Sequence, residues 1–541
     1  MRGMGRSARA LLLFALGLGA ALVGVELLIT AVALPAILAD ITDWTELRRA
    51  SWIVNGYLLA YIATMPLAGR AADRFGLPLL AGLALLVFAL GSVLAGAAQD
   101  LDQLIAARVV QGIGGGAIVP LATAGASHLY AGAARARALG VIGALTFLGM
   151  AIGPFAGATV LQVFELGPGL RQAGAVESPW AAFLSPAWRW IFYLGAPLAL
   201  LAMVYLWAAA PGWDVERGRS RIDVIGATLF TTALATGLLA LTTFDQPQGP
   251  GELLGPIPFA VIALVTGALA VARMAFARDP FIPLGYFRDR NFSNAVLLSL
   301  LTGYALATAI IGAAVFVDRV RFAGPETQRL VLGALAGAMA VGALVSGLLL
   351  RRAGIVPLTL TGIALGAGGL GLLATATPDL PDATLVGALA VFGLGFGLTV
   401  TPRSSAAVEA LGPRAFGLAS AAVTVARMIG MAIGLAVLTG FGSTRIEQLS
   451  LVLTDQAARD RVLPPHLQGR GLDDALVAQV LLRWSAEQAA VILGGLFLVA
   501  AVVMVISVVP ALLMRDHRPG AAPADDRTRD ADETPRAVTA F

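Results

Sequence analysis

Two absences bound the chemistry of this 541-residue chain. It has no cysteine, which excludes disulfides, thiolate metal sites and thiol catalysis. It has no lysine either: all 37 basic residues are arginine. They punctuate loops rather than gather on one face, so a pI near 9.8 is not the footprint of a nucleic-acid binder. Charge as a whole is scarce, at 13% of residues against about 25% in soluble domains. The three histidines, His128, His466 and His517, stand far apart and read as structural or solvated. No catalytic constellation, metal site or cofactor is expected.

What is abundant is apolar: 58% of residues are hydrophobic and the mean hydropathy is +0.83. Stretches of about 20 apolar residues, enough to cross about 30 Å of hydrocarbon, recur from Leu11 to Leu513. They predict an all-α integral membrane fold with fourteen transmembrane helices near 10–38, 49–68, 78–98, 104–128, 138–162, 188–209, 223–244, 256–276, 292–317, 329–350, 356–376, 384–402, 416–442 and 488–513. The basic start at Met1 to Arg9 has the look of a signal peptide. The apolar segment behind it outruns an h-region of roughly 7–15 residues, so it is expected to stay as the first span.

Fourteen is even, so the termini share a side. Eighteen arginines in the N-terminus and alternate loops, Arg403 counted among them, and five in the tail stand against eleven on the opposite side. The positive-inside rule then makes both termini cytoplasmic in a multi-pass protein of the cell (inner) membrane.

A short pattern occurs twice. Gly69-Arg-Ala-Ala-Asp73-Arg74-Phe-Gly76 after the second predicted helix and Gly347-Leu-Leu-Leu-Arg-Arg-Ala-Gly354 after the tenth share the first Gly, the sixth Arg and the last Gly. Two six-helix bundles related as a pseudo-repeat, plus a two-helix insert, account for fourteen. The expected division is a cytoplasmic N-terminus (1–9), an N-terminal bundle (10–210), the insert and its loops (211–291), a C-terminal bundle (292–513) and a disordered cytoplasmic tail (514–541). The C-terminal bundle is expected to carry an extracytoplasmic helical hairpin (443–487).

The Gly69–Gly76 segment resembles the signature loop of the major facilitator superfamily, without its usual trailing basic pair. Arg108-Val-Val-Gln111-Gly112-Ile-Gly114 is similar to the superfamily's helix-4 motif, and Gly149-Met-Ala-Ile-Gly153-Pro154-Phe-Ala-Gly157 to its helix-5 antiporter motif. Glu26 to Pro35, Trp52 to Tyr57 and Trp188 to Phe192 resemble the fourteen-helix drug:proton antiporter branch of the EmrB/QacA type, which usually has Asp where Glu26 stands. The run Trp52 to Gly76 and the stretch Ala426-Arg427-Met428-Ile429-Gly430 most resemble the mycobacterial triacylglyceride exporters, which implies an extracytoplasmic lipoprotein carrier as partner.

Individual residues carry the mechanism. An ionised carboxylate at mid-bilayer costs on the order of 2.5–3.5 kcal/mol, so Glu26 must face a cavity, a partner or a proton. Arg108 and Arg427 are the other charges near membrane depth, and each needs a carboxylate or carbonyl partner. Glu26 is the natural partner of Arg108; these three are the proton-coupling candidates. Gly149, Gly153 and Gly157 line one helical face for close packing, and Pro154 bends that helix. Gly69, Asp73, Arg74 and Gly76 are the cytoplasmic gate, with Asp73 either locking to an Arg and a helix N-terminus or standing solvated. Gly112-Ile-Gly114-Gly115-Gly116 is no nucleotide loop, because it lies within an apolar helix with no strand before it.

In the expected hairpin, helix 13 continues past the bilayer through Ser443 to Asp460. Leu472 to Ala490 then resumes a helical pattern with Leu476, Val480 and Trp484 on one face, either guiding an acyl cargo or bracing the fold. The reading is a proton-driven exporter of a hydrophobic or amphipathic small molecule, lipid or drug, working among membrane lipids and not an enzyme. A proton-coupled importer of a polar solute and a non-transporting scaffold or sensor are the alternatives.

Overall fold

In hydrocarbon each backbone N–H and C=O must find a partner within its own segment, so these apolar stretches form helices. The computed structural model describes residues 4–41, 52–164, 181–211, 213, 223–243, 255–277, 280, 282–323, 325–412, 415–438, 455–472 and 474–515. Its long helices are α1 (Arg6–Ile41), α2 (Trp52–Phe75), α3 (Leu77–Ala97), α4 (Leu101–Leu129), α5 (Gly132–Val163), α6 (Ala187–Ala209), α7 (Val224–Thr243), α8 (Pro256–Phe276), α9 (Arg290–Arg319), α10 (Pro325–Ala353), α11 (Ile355–Ala374), α12 (Asp382–Leu411), α13 (Phe416–Val437) and α14 (Ala475–Ile506). Thirteen of these are long and apolar enough to cross a membrane; in α7 the apolar stretch described covers 225–237.

Local chemistry sets the helix ends. Asp100, Asp289 and Asp474 each accept a hydrogen bond from an N–H of the first turn, at 2.8 Å, 2.9 Å and 2.9 Å, and so start α4, α9 and α14. A single glycine separates α2 from α3 and α10 from α11. Gly76 has φ 96° and Gly354 φ 83°, a backbone region that side-chain-bearing residues rarely enter. The two copies of the repeated sequence therefore make the same tight reversal. The signature segment is not a loop, since all but Gly76 of it is helical.

The helices pair in a recurring order. Contacts of α1 with α4, α5 and α6, of α2 with α4, and of α3 with α4 and α6 recur as α9 with α12, α13 and α14, α10 with α12, and α11 with α12 and α14. The two groups meet along α5–α10 and α2–α13. At the end that holds Gly76 the meeting is backbone-close. A Cβ on Gly69 would stand 2.6 Å from the Gly417 carbonyl oxygen, and one on Gly347 would stand 2.8 Å from that of Ala136. The first glycine of each repeat is thus where one group touches the other.

Helices α7 and α8 pair with each other and lean on both groups, through a small apolar cluster of Ala227, Ala270, Met274 and Leu418 with Leu67 against it. The outer face of α8 is exposed and apolar, with Ile257, Leu264 and Phe276 more than 70% accessible.

Beyond α13 the structure departs from the sequence reading. Residues 443–454 lie outside the described residues, and Asp455 is non-helical, capping a separate short helix, Gln456–Val462. The second arm is not a separate element: α14 runs 32 residues without a break, about 48 Å at 1.5 Å per residue, well beyond the bilayer's need. Its projecting part buries Val477 and Leu481 against Leu463 and Leu467. Leu476 is exposed, Val480 packs at the margin of that cluster, and Trp484 is half-buried. Arg483 ties the arm to Asp379 at 2.8 Å and pairs with Glu487 of its own helix at 3.1 Å.

Candidate functional site

Glu26 on α1 and Arg108 on α4 form an ion pair buried to 3% and 1% exposure. The guanidinium is partnered by hydrogen bonds and by aromatic faces. Its Nε donates to the Ile53 carbonyl at 3.1 Å, a terminal nitrogen donates to both Glu26 and Gln111, and its plane lies over Tyr57 at 4.2 Å and Phe192 at 5.5 Å. Gln111 passes the chain on, donating to Ser92 Oγ at 2.8 Å, while the Thr30 hydroxyl donates to Glu26 Oε1 at 3.3 Å. Such partnering is what permits two charges to remain so far from water.

Glycines of α5 pack against α1 beside this site. Gly149 and Gly153 face α1: a Cβ on Gly153 would come within 2.7 Å of the Val25 carbonyl, next to Glu26, and one on Gly149 would overlap the Ala21 carbonyl. Gly157 is buried further along. Pro154 and Asp73 lie on α5 and α2, but their side chains fall outside the described ones. The Arg74 guanidinium lies 5.2 Å from its neighbour Phe75. Glycines 112, 114, 115 and 116 let α4 seat between α2 and α3, with Cβ positions overlapping backbone of Tyr57, Phe88 and Tyr61 or the Tyr57 hydroxyl.

Arg427 does not join the Glu26 pair. It lines a cavity between the two groups, with Val119 and Thr123 of α4, Ile142, Thr146 and Phe147 of α5, and Arg403, Ser420 and Thr424 of α12 and α13. Tyr57 and Tyr61 stack at 5.7 Å between centroids, and Tyr61 lies within reach of the Arg427 charge. The two tyrosines thus form an aromatic step from Arg108 to Arg427.

Arg403 is a correction to the sequence reading, which placed it in a loop. Helix α12 does not stop at Pro402 but runs to Leu411, and Arg403 is 1% exposed within it. It donates to Thr302 Oγ1 of α9 at 2.6 Å and faces the Phe396 ring at 5.1 Å. The apolar run Ala406-Ala407-Val408 shortly after it was the overlooked signal.

The space left in this cavity for water-sized occupants is ≈ 40 Å³. At roughly 10–15 Å³ each that is about three waters, so the two groups pack closely around it. At the Gly76 end they are held by Ser420 donating to the Pro120 carbonyl at 3.2 Å and by Arg135 over the Phe416 ring at 4.9 Å. His128 packs on the same ring at 4.9 Å and has a structural place there. Among the described residues no group of three or more metal-ligating side chains is gathered.

Comparison with known proteins places this arrangement. The Major Facilitator Superfamily profile matches residues 16–435. A triacylglyceride transporter of Mycolicibacterium hassiacum is 34% identical over 510 residues, covering 91% of this chain and 90% of its own. The triacylglyceride transporter of Mycobacterium tuberculosis is 32% identical over 497 residues, 87% and 88% of the two chains. Among solved structures, the proton:xylose symporter XylE superposes with TM-score 0.56 at 14% identity, covering 92% of this chain and 96% of its own. A bacterial homologue of the human lysosomal transporter Spinster gives 0.56 at 18% identity, covering 95% and 100%. Structures this distant in sequence establish the fold alone. The chain belongs to the major facilitator superfamily of membrane transporters, and within it is similar to the mycobacterial triacylglyceride transporters.

Proposed function

We propose that the protein exports a lipid, triacylglyceride foremost, across the cell membrane by alternating access, driven by inward movement of protons through Glu26. The observation that carries this reading is the Glu26–Arg108 pair, a carboxylate at membrane depth whose charge is balanced by one guanidinium. Protonating Glu26 would leave Arg108 uncompensated and change its hold on Gln111 and Ile53, so protonation and helix packing are coupled at one point. Gly149 and Gly153 seat α5 against the same stretch of α1, and α5 is also the helix that meets α10. A rearrangement at Glu26 thereby reaches the interface that must open.

In this reading α7 completes fourteen spans, α1–α6 and α9–α14 are pseudo-repeated bundles, and α7–α8 are an insert. Both termini are cytoplasmic, and Gly69, Asp73, Arg74 and Gly76 gate the cytoplasmic end. Arg427 couples the far bundle to the pair through the tyrosine step. The projecting end of α14, with Leu476 outward and Val480 and Trp484 beside it, receives cargo or docks a lipoprotein carrier.

The test is movement of a fluorescent triacylglyceride in proteoliposomes under an imposed pH gradient. Glu26→Gln, which keeps size and polarity but carries no proton, should abolish gradient-driven transport. Transport by that variant at the wild-type rate would remove Glu26 from the mechanism. Replacing 446–484 by a short Gly/Ser linker should impair lipid export yet leave insertion and any small-drug efflux intact.

A further inference from the structure

Two guanidinium groups line the central cavity, Arg403 buried and Arg427 half-buried, and neither is paired with a carboxylate among the described residues. Arg403 is 1% exposed, yet its Nε has no hydrogen-bond partner, and the Nε of Arg427 is likewise unpaired. This is costly by the same reasoning that explains the partnered Arg108. A buried charge is retained when something completes it.

The other polar groups of the cavity narrow what that something is. Thr123, Thr146, Ser420 and Thr424 each donate their hydroxyl proton to a backbone carbonyl, at 2.6, 2.8, 3.2 and 2.8 Å. Thr302, which accepts from Arg403, donates to the Leu298 carbonyl at 2.7 Å. Apart from the Ser404 hydroxyl, the cavity's free donors are therefore concentrated in the two guanidinium groups, whose planar forks match a carboxylate or a phosphate. Val119, Leu139, Phe147 and Val423 supply the rest of the wall, so an apolar chain beside the anionic oxygens would also be accommodated.

We propose that Arg403 and Arg427 form an oxyanion site that binds the carboxylate or phosphate head of an acyl-bearing amphiphile, a cargo class beyond neutral triacylglyceride. The proposal rests on the transport reading for its physiological sense, but the binding itself needs no gradient. The space of about three waters suits a head group rather than a whole lipid. Its place between the two bundles puts one bundle's arginines against walls from the other. Occupancy would then tie the bundles together, while Glu26 lies outside the cavity lining.

The experiment measures equilibrium binding of oleate, dioleoyl phosphatidic acid, dioleoylglycerol and inorganic phosphate to the full-length protein in neutral detergent. The wild type should bind the two anionic amphiphiles at least tenfold more tightly than dioleoylglycerol. Arg403→Gln and Arg427→Gln should each lose tenfold or more of that affinity, while Arg403→Lys, which keeps the charge but not the fork, loses less than Arg403→Gln. Competition by phosphate separates the sources: displacement of oleate at millimolar phosphate with tighter oleate binding assigns the site to a lipid head group. Phosphate binding as tight as that of the amphiphiles assigns it to a free oxyanion, overturning the cargo part. Equal binding of dioleoylglycerol, or unchanged anion binding in both Gln variants, overturns the site itself. Should a Gln variant fail to fold, the Lys variants and the phosphate competition decide. Loss of pH-driven transport with anion binding intact would bear on the export reading alone.

Discussion

The two bundles carry buried arginines on matching helices and handle them in opposite ways. Arg108 on α4 meets a carboxylate on α1; Arg403 on α12 meets a threonine hydroxyl on α9, the corresponding pair of helices at another depth. In the first bundle the charge is closed into a network with Glu26, Gln111 and Ser92; in the second, two guanidinium groups face a cavity with unpaired nitrogens. A recurring set of helix contacts thus frames an internally balanced site and, as we propose, a site completed by a ligand. The lesson is that repeated architecture fixes where charged side chains can be placed, whereas the partner across the helix pair decides their chemistry.

The contrast is broken most severely by removing the carboxylate. Glu26→Leu leaves Arg108 buried and unpaired and should destabilise the protein by about 3–5 kcal/mol. Arg403→Met removes an uncompensated charge and should leave thermal stability unchanged or higher. Melting in detergent reads both, and equal losses in the two variants would refute the asymmetry. Glu26→Leu combined with Arg108→Met should recover most of the loss, because no orphan charge is left.

Ser92→Ala sharpens the picture of the first bundle. It takes away the acceptor of Gln111 in a fully buried position and should cost about 1–3 kcal/mol, whereas Ser404→Ala at the cavity, where Ser404 is half-buried, should cost under about 0.5 kcal/mol. Comparison of the two by denaturant titration checks it.

The contact between bundles is tested by Gly347→Ala. Its Cβ would press within 2.8 Å of the Ala136 carbonyl, so the closed arrangement at that end should lose a kcal/mol or two relative to the open one. Distances between spin labels on α5 and α10 should lengthen; an unchanged distribution would mean the glycine pair does not hold that end. The smallest effect belongs outside both bundles: Leu476→Ala should change stability by less than about 0.5 kcal/mol, since Leu476 is 57% exposed and does not share in the Val477–Leu481 packing.

Much of this was legible in the residues. Uninterrupted apolar stretches gave where the helices lie, though α2 and α12 run on past their expected ends and α14 starts well before its expected one, and the one carboxylate expected at membrane depth in the same half gave Arg108 its partner. Both follow from the bilayer's intolerance of unsatisfied polar groups, a constraint strong enough to read without neighbours. Arg403 was hard to read, because Pro402 looks like a boundary and the apolar run Ala406-Ala407-Val408 beyond it is a short signal beside the packing of α12 against α9, which shows that the helix goes on. The roles of Gln111, Ser92 and Tyr57 were hidden for a similar reason: a polar side chain inside an apolar helix gives no sign of which neighbour it meets. In the hairpin, spacing by four picked Leu476, Val480 and Trp484, but the buried stripe is one residue over at Val477 and Leu481. A one-residue rotation of a helical face is decided by what lies opposite, here Leu463 and Leu467.

The most direct test of the central claim is a proton count. Proteoliposomes of the wild-type protein loaded with a pH-sensitive dye should show proton movement that depends on triacylglyceride, and Glu26→Gln should show none while still binding triacylglyceride. Equal proton movement by both proteins would place the proton elsewhere and contradict the role assigned to Glu26.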